Sequence, residues 1–331
     1  MPGGPGKDKV KMQRCDDRIG DRGTETQTMR HFAQNILKRV DPRKDFCWRY
    51  EHQEDGYGFD LDAFLTYEPI FRFFYEEFFK VQTIGIENIP DEGGALLVGN
   101  HSGVLPVDAW MLYCANYHLH PHPRRIRFLV VDYLLSAPLT GRIFKSSGGV
   151  PASHEVAREL LENEELVGIY PEGTRGTGKP FSQRYRLCDF HPGFVKEAIE
   201  TNSPIIPVTT VGGDEIYPLL ARMEKVARVM GAPYWPVTPI FPWLPFPTSA
   251  IPLPVRMLIK VGKPIYLNYS PDQARDKKLR MRIARDIQYE IQRELNFLLR
   301  NRKSPFSEWD IEKVRCNPET YGLLSDHIIA P

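Results

Sequence analysis

The chain has 331 residues, of which 42% are hydrophobic and 26% are charged, with a formal net charge of +1. This composition is typical of a globular protein with a substantial core, and the balanced charge argues against the basic surface of a nucleic-acid-binding protein. The five cysteines follow no metal-ligand spacing, which predicts free thiols in a reducing compartment. No stretch supplies a signal peptide or the roughly 18 uncharged apolar residues of a spanning helix, so we expect any membrane contact to be peripheral.

The amino-terminal part of the chain is predicted to contain a disordered tail and a helical segment. Residues 1–25 are rich in Gly, Pro and charge, a composition typical of disorder. Residues 26–85 are predicted to be helical and aromatic-rich, with a first helix from Thr28 to Val40. One face of the next predicted helix carries Phe71, Phe74, Tyr75, Phe78 and Phe79. This face could pack on the core, rest on lipid or form one wall of an acyl-chain groove.

After residue 80, short apolar strands alternate with helical segments. The predicted strands are 81–89, 95–99, 126–131, 166–170, 205–211 and 255–261. The predicted helices between them include 106–117, 154–163 and 194–201. This alternation predicts an α/β fold with a mostly parallel central sheet flanked by helices.

A long carboxy-terminal helix is predicted to complete this fold. Ser270 and the proline after it form a typical helix start. The apolar stripe of the helix is Ile283, Ile287, Ile291, Leu295 and Leu298. The α/β domain is predicted to span residues 86–302, and residues 303–331 are predicted to be a polar tail.

A proline-rich apolar stretch at 235–247 interrupts the alternation. Its prolines recur too often for a regular helix, so the stretch is predicted to be a loop. Either this loop folds back over the core, or its apolar side chains are exposed and mark an interaction surface.

The most informative stretch runs from Leu97 to Asp108, where a predicted strand ends in a polar, glycine-containing turn. His101 lies in this turn, Pro106 is predicted to open the next helix, and Asp108 falls in its first turn. A neutral imidazole can remove a proton from an alcohol, and a nearby carboxylate can fix its tautomer. Because no Gly-x-Ser-x-Gly elbow is present, His101 is predicted to act on a bound substrate and not on a protein nucleophile.

A second polar turn, Tyr170–Gly176, also follows a predicted strand directly. Glu172, Gly173, Thr174 and Arg175 supply a carboxylate, a flexible backbone, a hydroxyl and a guanidinium. Arginine binds phosphate through a forked pair of donors, so this turn could hold an anionic head group. Alternatively it is a surface turn in which the glutamate and the arginine pair with each other.

Together these stretches resemble the lysophospholipid/glycerolipid acyltransferase superfamily, whose members share a His-x4-Asp block and a later Glu-Gly-Thr-Arg block. Asn100-His101 with Asp108 is similar to the first, and Glu172–Arg175 matches the later one. Gly149–Ser153 resembles a block between them, in the form seen in the branch that acylates neutral glycerides, and Ser203–Val208 resembles a fourth. The resemblance covers about residues 66–270, but six residues separate the histidine from the aspartate where the family has four.

The resemblance implies an O-acyltransferase (class 2.3.1.-) that transfers a fatty acyl group from acyl-CoA or acyl-carrier protein to a glycerolipid hydroxyl. His101 would be the general base and Asp108 would orient it, while backbone amides near Ser102 and Gly103 would stabilise the oxyanion. The Glu-Gly-Thr-Arg block favours a phosphate-bearing acceptor such as lysophosphatidate, whereas the block at 149–153 favours mono- or diacylglycerol. The residues implied in substrate binding are Asn100, Ser102, Gly103, Glu172, Gly173, Thr174 and Arg175.

No metal and no cofactor is implied beyond the acyl thioester. His118, His120 and His122 lie in a proline-containing loop, and no carboxylate or cysteine completes a metal-ligand spacing. The arginines that follow, Arg124, Arg125 and Arg127, are predicted to form a solvated basic patch facing anionic lipid or the phosphates of CoA.

The implied partners are the lipid acceptor, the acyl thioester and a membrane surface, with no nucleic acid and no implied oligomeric state. The expected location is the cytoplasmic face of a membrane. Two alternatives remain open: a non-catalytic lipid-binding relative, and a hydrolase or transacylase in which His101 activates water.

Overall fold

The computed structural model describes residues 42–51, 56–103, 105–137, 140–230, 234–245 and 248–317. The predicted tail at 1–25, the predicted helix Thr28–Val40 and the part of the predicted carboxy-terminal tail beyond residue 317 lie outside the described residues. None of the helices in the described part of the chain combines the length and the apolar character needed to cross a bilayer.

The fold is built on a central sheet of seven strands, accompanied by a separate two-stranded ribbon. The strands are β1 Gln82–Ile84, β2 Ala95–Gly99, β3 Ile126–Val130, β4 Val150–Pro151, β5 Leu166–Ile169, β6 Ile205–Val211, β7 Ala221–Arg222, β8 Pro236–Val237 and β9 Leu258–Val261. The central order is β1-β9-β6-β2-β5-β3-β4, and β7 pairs with β8. Strands β2 to β6 are mutually parallel, whereas β9 runs antiparallel to β6 and parallel to β1. The predicted, mostly parallel sheet is confirmed.

Helices cover both faces of the sheet. The α-helices of the described residues are α1 Pro42–Tyr50, α2 Leu61–Phe73, α3 Val107–Leu119, α4 Asp132–Ser136, α5 Thr140–Ser146, α6 His154–Glu162, α7 Thr174–Thr177, α8 Gly193–Glu200, α9 Gly213–Ile216, α10 Glu224–Met230, α11 Lys277–Arg300 and α12 Ile311–Arg315. Successive strand residues point to opposite faces, so Ala95 and Leu97 of β2 pack with α1 to α3 while Leu96 and Val98 pack with α6, α8 and α11. Full burial on both faces explains the continuous apolar run of this strand.

The aromatic face predicted at residues 71–79 packs on the core, which confirms the first of the three arrangements predicted for it. Helix α2 continues into a π-helical turn, Phe74–Phe78, and Tyr75 and Phe79 are buried. The ring of Phe71 stacks on Trp110 of α3 at 5.1 Å between centroids. Because α1 and α2 share one hydrophobic cluster with the sheet, and β1 pairs with β9, the predicted boundary at residue 85 does not separate two cores.

The predicted polar tail is wrong for residues 303–317, which pack against the domain. Trp309 and Val314 are buried beside Leu295 and Leu298 of α11. The Trp309 indole N–H donates to the Leu298 carbonyl at 2.9 Å, and its backbone N–H donates to the Gln82 side chain at 2.7 Å. These two isolated apolar residues carry no periodic signal, so only their tertiary contacts reveal the packing.

The predicted carboxy-terminal helix is confirmed, with a later start. A capping box formed by Ser270 and Gln273 opens a 3-10 turn, Pro271–Arg275, and Asp276 then caps α11 through the backbone N–H groups of Lys278 and Leu279. All five residues of the predicted apolar stripe are buried.

The predicted solvated arginine patch is wrong, because all three arginines are buried. Arg124 donates to the carbonyls of Pro90 and Glu164, and Arg125 pairs with Glu165. The Arg127 guanidinium lies over the Tyr57 ring, 5.5 Å from its centroid. These side chains tie the start of β3 to neighbouring loops, so they present no basic surface to lipid.

The proline-rich loop exposes its tip, which favours the predicted interaction surface. Trp243 is 69% exposed, and Leu244 is exposed beside it. The buried Thr238 hydroxyl accepts from the backbone N–H of Phe241 at 2.9 Å, and the Thr238 carbonyl accepts from the Trp243 indole at 3.1 Å. Residues 238–243 of the loop are therefore held by hydrogen bonds, with Trp243 exposed.

Candidate active site

The candidate site lies where parallel strands of the sheet end, the edge at which α/β folds commonly bind ligands. Strand β2 ends at Gly99, and Asn100 follows it fully buried. The Asn100 amide donates to the Thr210 carbonyl at 3.0 Å and accepts from the Thr210 N–H at 2.8 Å. These two hydrogen bonds tie the loop that carries His101 to β6, so Asn100 holds the loop and does not face a ligand.

His101 and Asp108 are in direct contact despite the longer spacing. The imidazole Nδ1 lies 2.9 Å from Asp108 Oδ2, and the Asp108 side chain is fully buried. Asp108 Oδ2 also accepts from the Ser102 N–H at 3.0 Å, and Oδ1 accepts from the Ala109 N–H at 2.9 Å. With a carboxylate at Nδ1, the tautomer that places the lone pair on Nε2 is favoured.

A glycine lies in the loop between His101 and Asp108, which is two residues longer than the family spacing. Gly103 has φ +80°, and a Cβ there would lie 3.0 Å from the Gly213 carbonyl oxygen. Asp108 lies in the first turn of α3, which begins at Val107, one residue later than predicted. The helix start therefore turns the carboxylate back toward the histidine.

Glu172 lies behind the histidine and is fully engaged. Its side chain is buried, Oε1 accepts from the His101 backbone N–H at 3.0 Å, and Oε2 accepts from the Cys188 N–H at 2.7 Å. The buried Lys179 ammonium lies 3.2 Å from Oε2 and balances the charge. Glu172 thus joins the two predicted blocks, and it pairs with Lys179 and not with Arg175 as the alternative required.

The other residues of the Glu172–Arg175 block are exposed. Gly173 has φ +58° and ψ −148°, a conformation that favours glycine, and Thr174 opens the single turn α7. Gly173 and Thr174 line the cavity described below, whereas Arg175 does not. The Arg175 guanidinium donates from Nη2 to the Asp189 carbonyl at 2.9 Å.

Ser102 and Gly103, which follow His101 in the loop, are both buried. The Ser102 N–H is already bonded to Asp108, so it is not available to an oxyanion in this geometry. A Cβ at Gly213 would lie 2.0 Å from the Ser102 hydroxyl oxygen, so this serine packs closely against the start of α9.

A cavity of about 460 Å³ opens beside His101, within the range of small-molecule sites. Most of its wall is apolar and comes from α2, α3, α5 and the segment after β3. Representative apolar lining residues are Phe71, Trp110, Val131, Leu134, Ile143 and Phe144. The His101 imidazole also lines this cavity, so its Nε2 side can meet a ligand whose chain lies among apolar groups.

Several residues that support the histidine were not predicted. The Tyr170 ring stacks on the imidazole at 4.4 Å between centroids, and burial together with the Asp108 charge raises the pKa of its hydroxyl. A Cβ at Gly176 would lie 3.1 Å from the His101 Cβ. Tyr170 and Gly176 lie on either side of the Glu172–Arg175 block, and this position in the sequence could have indicated their role. Lys179 follows it without any pattern.

The histidines at the end of α3 and just after it contact residues of the surrounding fold. The His120 Nε2 atom contacts the Ile89 carbonyl at 2.8 Å, and His118 Nε2 lies 2.9 Å from Glu68 Oε1. Among the described residues there is no group of three or more His, Cys, Asp or Glu side chains that could hold a metal ion.

Comparison with known proteins places the chain in a family. A family model described as Acyltransferase matches residues 80–211. An uncharacterized protein of Mycobacterium leprae is 40% identical over 261 residues, which cover 77% of this chain and 70% of the relative. The 1-acyl-sn-glycerol-3-phosphate acyltransferase of Borreliella burgdorferi is 28% identical over 134 residues, covering 39% of this chain and 50% of that protein.

The chain belongs to the lysophospholipid/glycerolipid acyltransferase superfamily. The resemblance seen in its sequence blocks is thereby confirmed, and the acyltransferase domain includes both the His101 loop and the Glu172 turn. The crystal structure of the 1-acyl-sn-glycerophosphate acyltransferase from Thermotoga maritima aligns with a TM-score of 0.47 and 17% identity, covering 84% of this chain and 100% of that one.

Proposed function

We propose that the chain transfers a fatty acyl group from an acyl thioester to a hydroxyl of a glycerolipid. The observation that carries this proposal is the 2.9 Å contact between His101 Nδ1 and Asp108 Oδ2, with the imidazole in the cavity wall. This arrangement suits a base that acts on a bound alcohol, because the carboxylate stabilises the imidazolium formed when Nε2 accepts a proton.

In the proposed reaction, His101 Nε2 removes the proton of the acceptor hydroxyl while its oxygen attacks the thioester carbonyl carbon. A tetrahedral oxyanion forms and collapses, which breaks the carbon–sulfur bond. The thiolate leaves and takes the proton back from His101, so the products are an ester and a free thiol. No metal and no cofactor takes part beyond the acyl thioester, which is acyl-CoA or acyl-carrier protein.

The acyl chain is proposed to lie against the aromatic wall of the cavity. Phe71 stacks on Trp110, and Trp110 stacks on Phe144 at 6.0 Å between centroids. All three rings line the cavity and give this part of its wall an apolar surface. Burial of alkyl carbon there is favourable by about 25 cal/mol per Å² of apolar surface removed from water.

The acceptor is proposed to be a phosphate-bearing lysolipid such as lysophosphatidate. Arg175 is exposed, and because only its Nη2 group is engaged by the Asp189 carbonyl among the described residues, the guanidinium has further donors to offer a phosphate. The name of the Borreliella burgdorferi relative supports this acceptor. In this proposal Glu172 holds the loop, and Gly173, Thr174 and Arg175 meet the head group.

A neutral mono- or diacylglycerol is the second candidate acceptor. It is favoured by one observation: no lysine or arginine is among the described residues that line the cavity. The block at 149–153, which resembles that of neutral-glyceride enzymes, contributes Gly149, Ala152 and Ser153 to the same wall.

The protein is proposed to meet the membrane peripherally, at its cytoplasmic face, through the insertion between α9 and β9. Exposed apolar side chains are concentrated in this insertion: Leu220, Met223, Val229, Trp243, Leu244 and Ile251. The exposed basic residues Arg222, Lys225 and Arg228 lie among them, which suits anionic lipid. Tyr234, within the same insertion, lines the cavity, so a lipid bound at this surface would be close to the site.

One assay tests the function and its alternatives. Purified protein is given labelled acyl-CoA and a panel of lysophosphatidate, monoacylglycerol and diacylglycerol, with wild type compared to His101→Ala. Free CoA with acylated lipid, lost in the variant, supports the proposal. Free CoA with fatty acid alone supports a hydrolase, and lipid binding without either product supports a non-catalytic relative. Full transfer by His101→Ala would refute the mechanism for every acceptor.

A further inference from the structure

A second histidine–carboxylate pair lines the cavity. His154, the first residue of α6, places Nδ1 at 2.6 Å from Glu197 Oε1 of α8. The Glu197 side chain is 4% exposed and that of His154 is 52% exposed, and both residues are in the cavity wall. As at His101, a buried carboxylate fixes one ring nitrogen and leaves the other free to meet a ligand.

His191 adds another imidazole to this pair. Its backbone N–H donates to the Pro171 carbonyl at 2.9 Å, and the residue is exposed in the cavity wall. A Cβ at Gly193 would lie 2.6 Å from His154 Cε1 and 3.3 Å from His191 Nδ1. The two rings are therefore neighbours on either side of a glycine, which leaves room for them.

The polar wall is built by different elements from the apolar one. His154, His191 and Glu197 come from the start of α6 and from α8 and the segment before it, and these two helices pack together. The aromatic wall comes from α2, α3 and α5. A ligand whose reacting carbon lies at His101 thus has an apolar surface for one part and a polar surface for another.

The charge of the polar wall restricts the class of ligand that it can bind. Burial raises the pKa of the Glu197 carboxyl, and the neighbouring His154 opposes that rise. While Glu197 is ionised, the pair carries no net positive charge whether or not the imidazole is protonated. The described cavity lining contains no lysine or arginine, so this wall suits neutral hydrogen-bonding groups such as amides and hydroxyls better than a phosphate dianion.

We propose that His154, oriented by Glu197 and flanked by His191, binds the pantetheine arm of the acyl donor. This inference rests on the proposed function. In a thioester donor, the acyl chain and the amide-bearing arm extend from opposite sides of the carbonyl–sulfur group. With the chain against the aromatic wall, the arm meets the imidazoles, whose ring nitrogens exchange hydrogen bonds with its amides and hydroxyl. The arm is common to CoA and to acyl-carrier protein.

Binding of unreactive thioethers tests this site without requiring turnover. The probes are hexadecyl thioethers of CoA, of pantetheine and of 2-mercaptoethanol, the last of which lacks both amides. For His154→Ala we expect Kd to rise about fivefold to tenfold for the first two probes, the loss of one hydrogen bond, with no change for the third. Glu197→Ala should act similarly, whereas Glu197→Gln, which keeps an acceptor for Nδ1, should retain most of the affinity.

Matched variants separate this role from a structural one. Gly193→Ala keeps every polar group but displaces the His154 ring, so it should weaken the same two probes. His122→Ala, outside the cavity lining, should weaken none. A carrier-protein thioether in the same series shows which source of the arm binds more tightly.

Several outcomes would overturn the proposal. If the variants weaken binding of all three probes equally, His154 and Glu197 act on the alkyl chain or on folding. If they weaken binding of none, the pair does not bind the pantetheine arm. Weakened binding of lysophosphatidate alone would assign the pair to the acceptor. If wild type transfers no acyl group yet the probes behave as expected, the proposed function fails and the site stands.

Discussion

Replacement of Asp108 by asparagine tests the catalytic pair with the smallest change in shape. The wild-type carboxylate has three partners: His101 Nδ1 and the Ser102 N–H at Oδ2, and the Ala109 N–H at Oδ1. An amide has only one acceptor oxygen. If that oxygen takes the Oδ2 position, the amide N–H₂ faces the Ala109 donor. If it takes the Oδ1 position, the N–H₂ faces both Ser102 and His101.

Each orientation leaves at least one buried backbone N–H unpaired, which costs about 1–3 kcal/mol of stability. The first orientation keeps the imidazole tautomer but removes the negative charge that stabilises the imidazolium. The second also favours the tautomer with its proton on Nε2, which cannot accept a proton from the substrate. We therefore expect kcat to fall about 10²- to 10⁴-fold, the contribution of a positioned general base.

The measurement is acyl transfer under saturating donor, with product ester followed by mass spectrometry and folding followed by denaturant unfolding. Asp272→Asn, the same change at an exposed 3-10 turn, is the control and should keep the wild-type kcat. A folded Asp108→Asn protein with kcat within about threefold of wild type would refute the assigned role of this carboxylate.

Three further changes test other parts of the structure. Gly176→Ala places a Cβ 3.1 Å from the His101 Cβ, so kcat should drop while donor KM is nearly retained; an unchanged kcat would show that the loop adjusts freely. Burial raises the pKa of Asp214, so its ionisation opposes folding and wild-type stability should fall as pH rises from about 4 through the folded pKa. Asp214→Asn should flatten that decline in denaturant unfolding measured across pH, and an unaltered pH profile would contradict it. Trp243→Ser with Leu244→Ser should reduce sedimentation with anionic vesicles, and equal sedimentation would remove the proline-rich loop from the membrane surface.

The features predicted correctly are those that local pattern determines. Strand β6 is Ile205–Val211 as predicted, because seven consecutive buried residues give a continuous apolar run. The start of α6 is predicted to the residue, because Ser153 accepts from the Val156 N–H at its amino terminus. Both signals lie within a few residues of the element that they define.

The features that were missed depend on contacts between distant residues. An apolar strand has no intrinsic direction, so the antiparallel course of β9 was not predictable from 255–261. The burial of Trp309 depends on Leu298 and Gln82, and that of Arg125 on Tyr50 and Glu165. The His101–Asp108 contact lies in a loop whose Gly103 has a positive φ, and a Cβ at that position would lie 3.0 Å from the carbonyl oxygen of Gly213, more than a hundred residues away.

Glu172 has a structural role that differs from the role its residue type and sequence neighbours suggest. A carboxylate next to Arg175 predicts head-group binding or an ion pair between the two, yet its oxygens accept from the backbone of His101 and Cys188 and contact Lys179. On the Glu172 turn, the carboxylate accepts from the His101 backbone N–H, and a Cβ at Gly176 would lie 3.1 Å from the His101 Cβ. The two blocks, which lie 71 residues apart, are thus joined by a buried hydrogen bond, and a change in either should alter the position of the imidazole before it alters the binding of a head group.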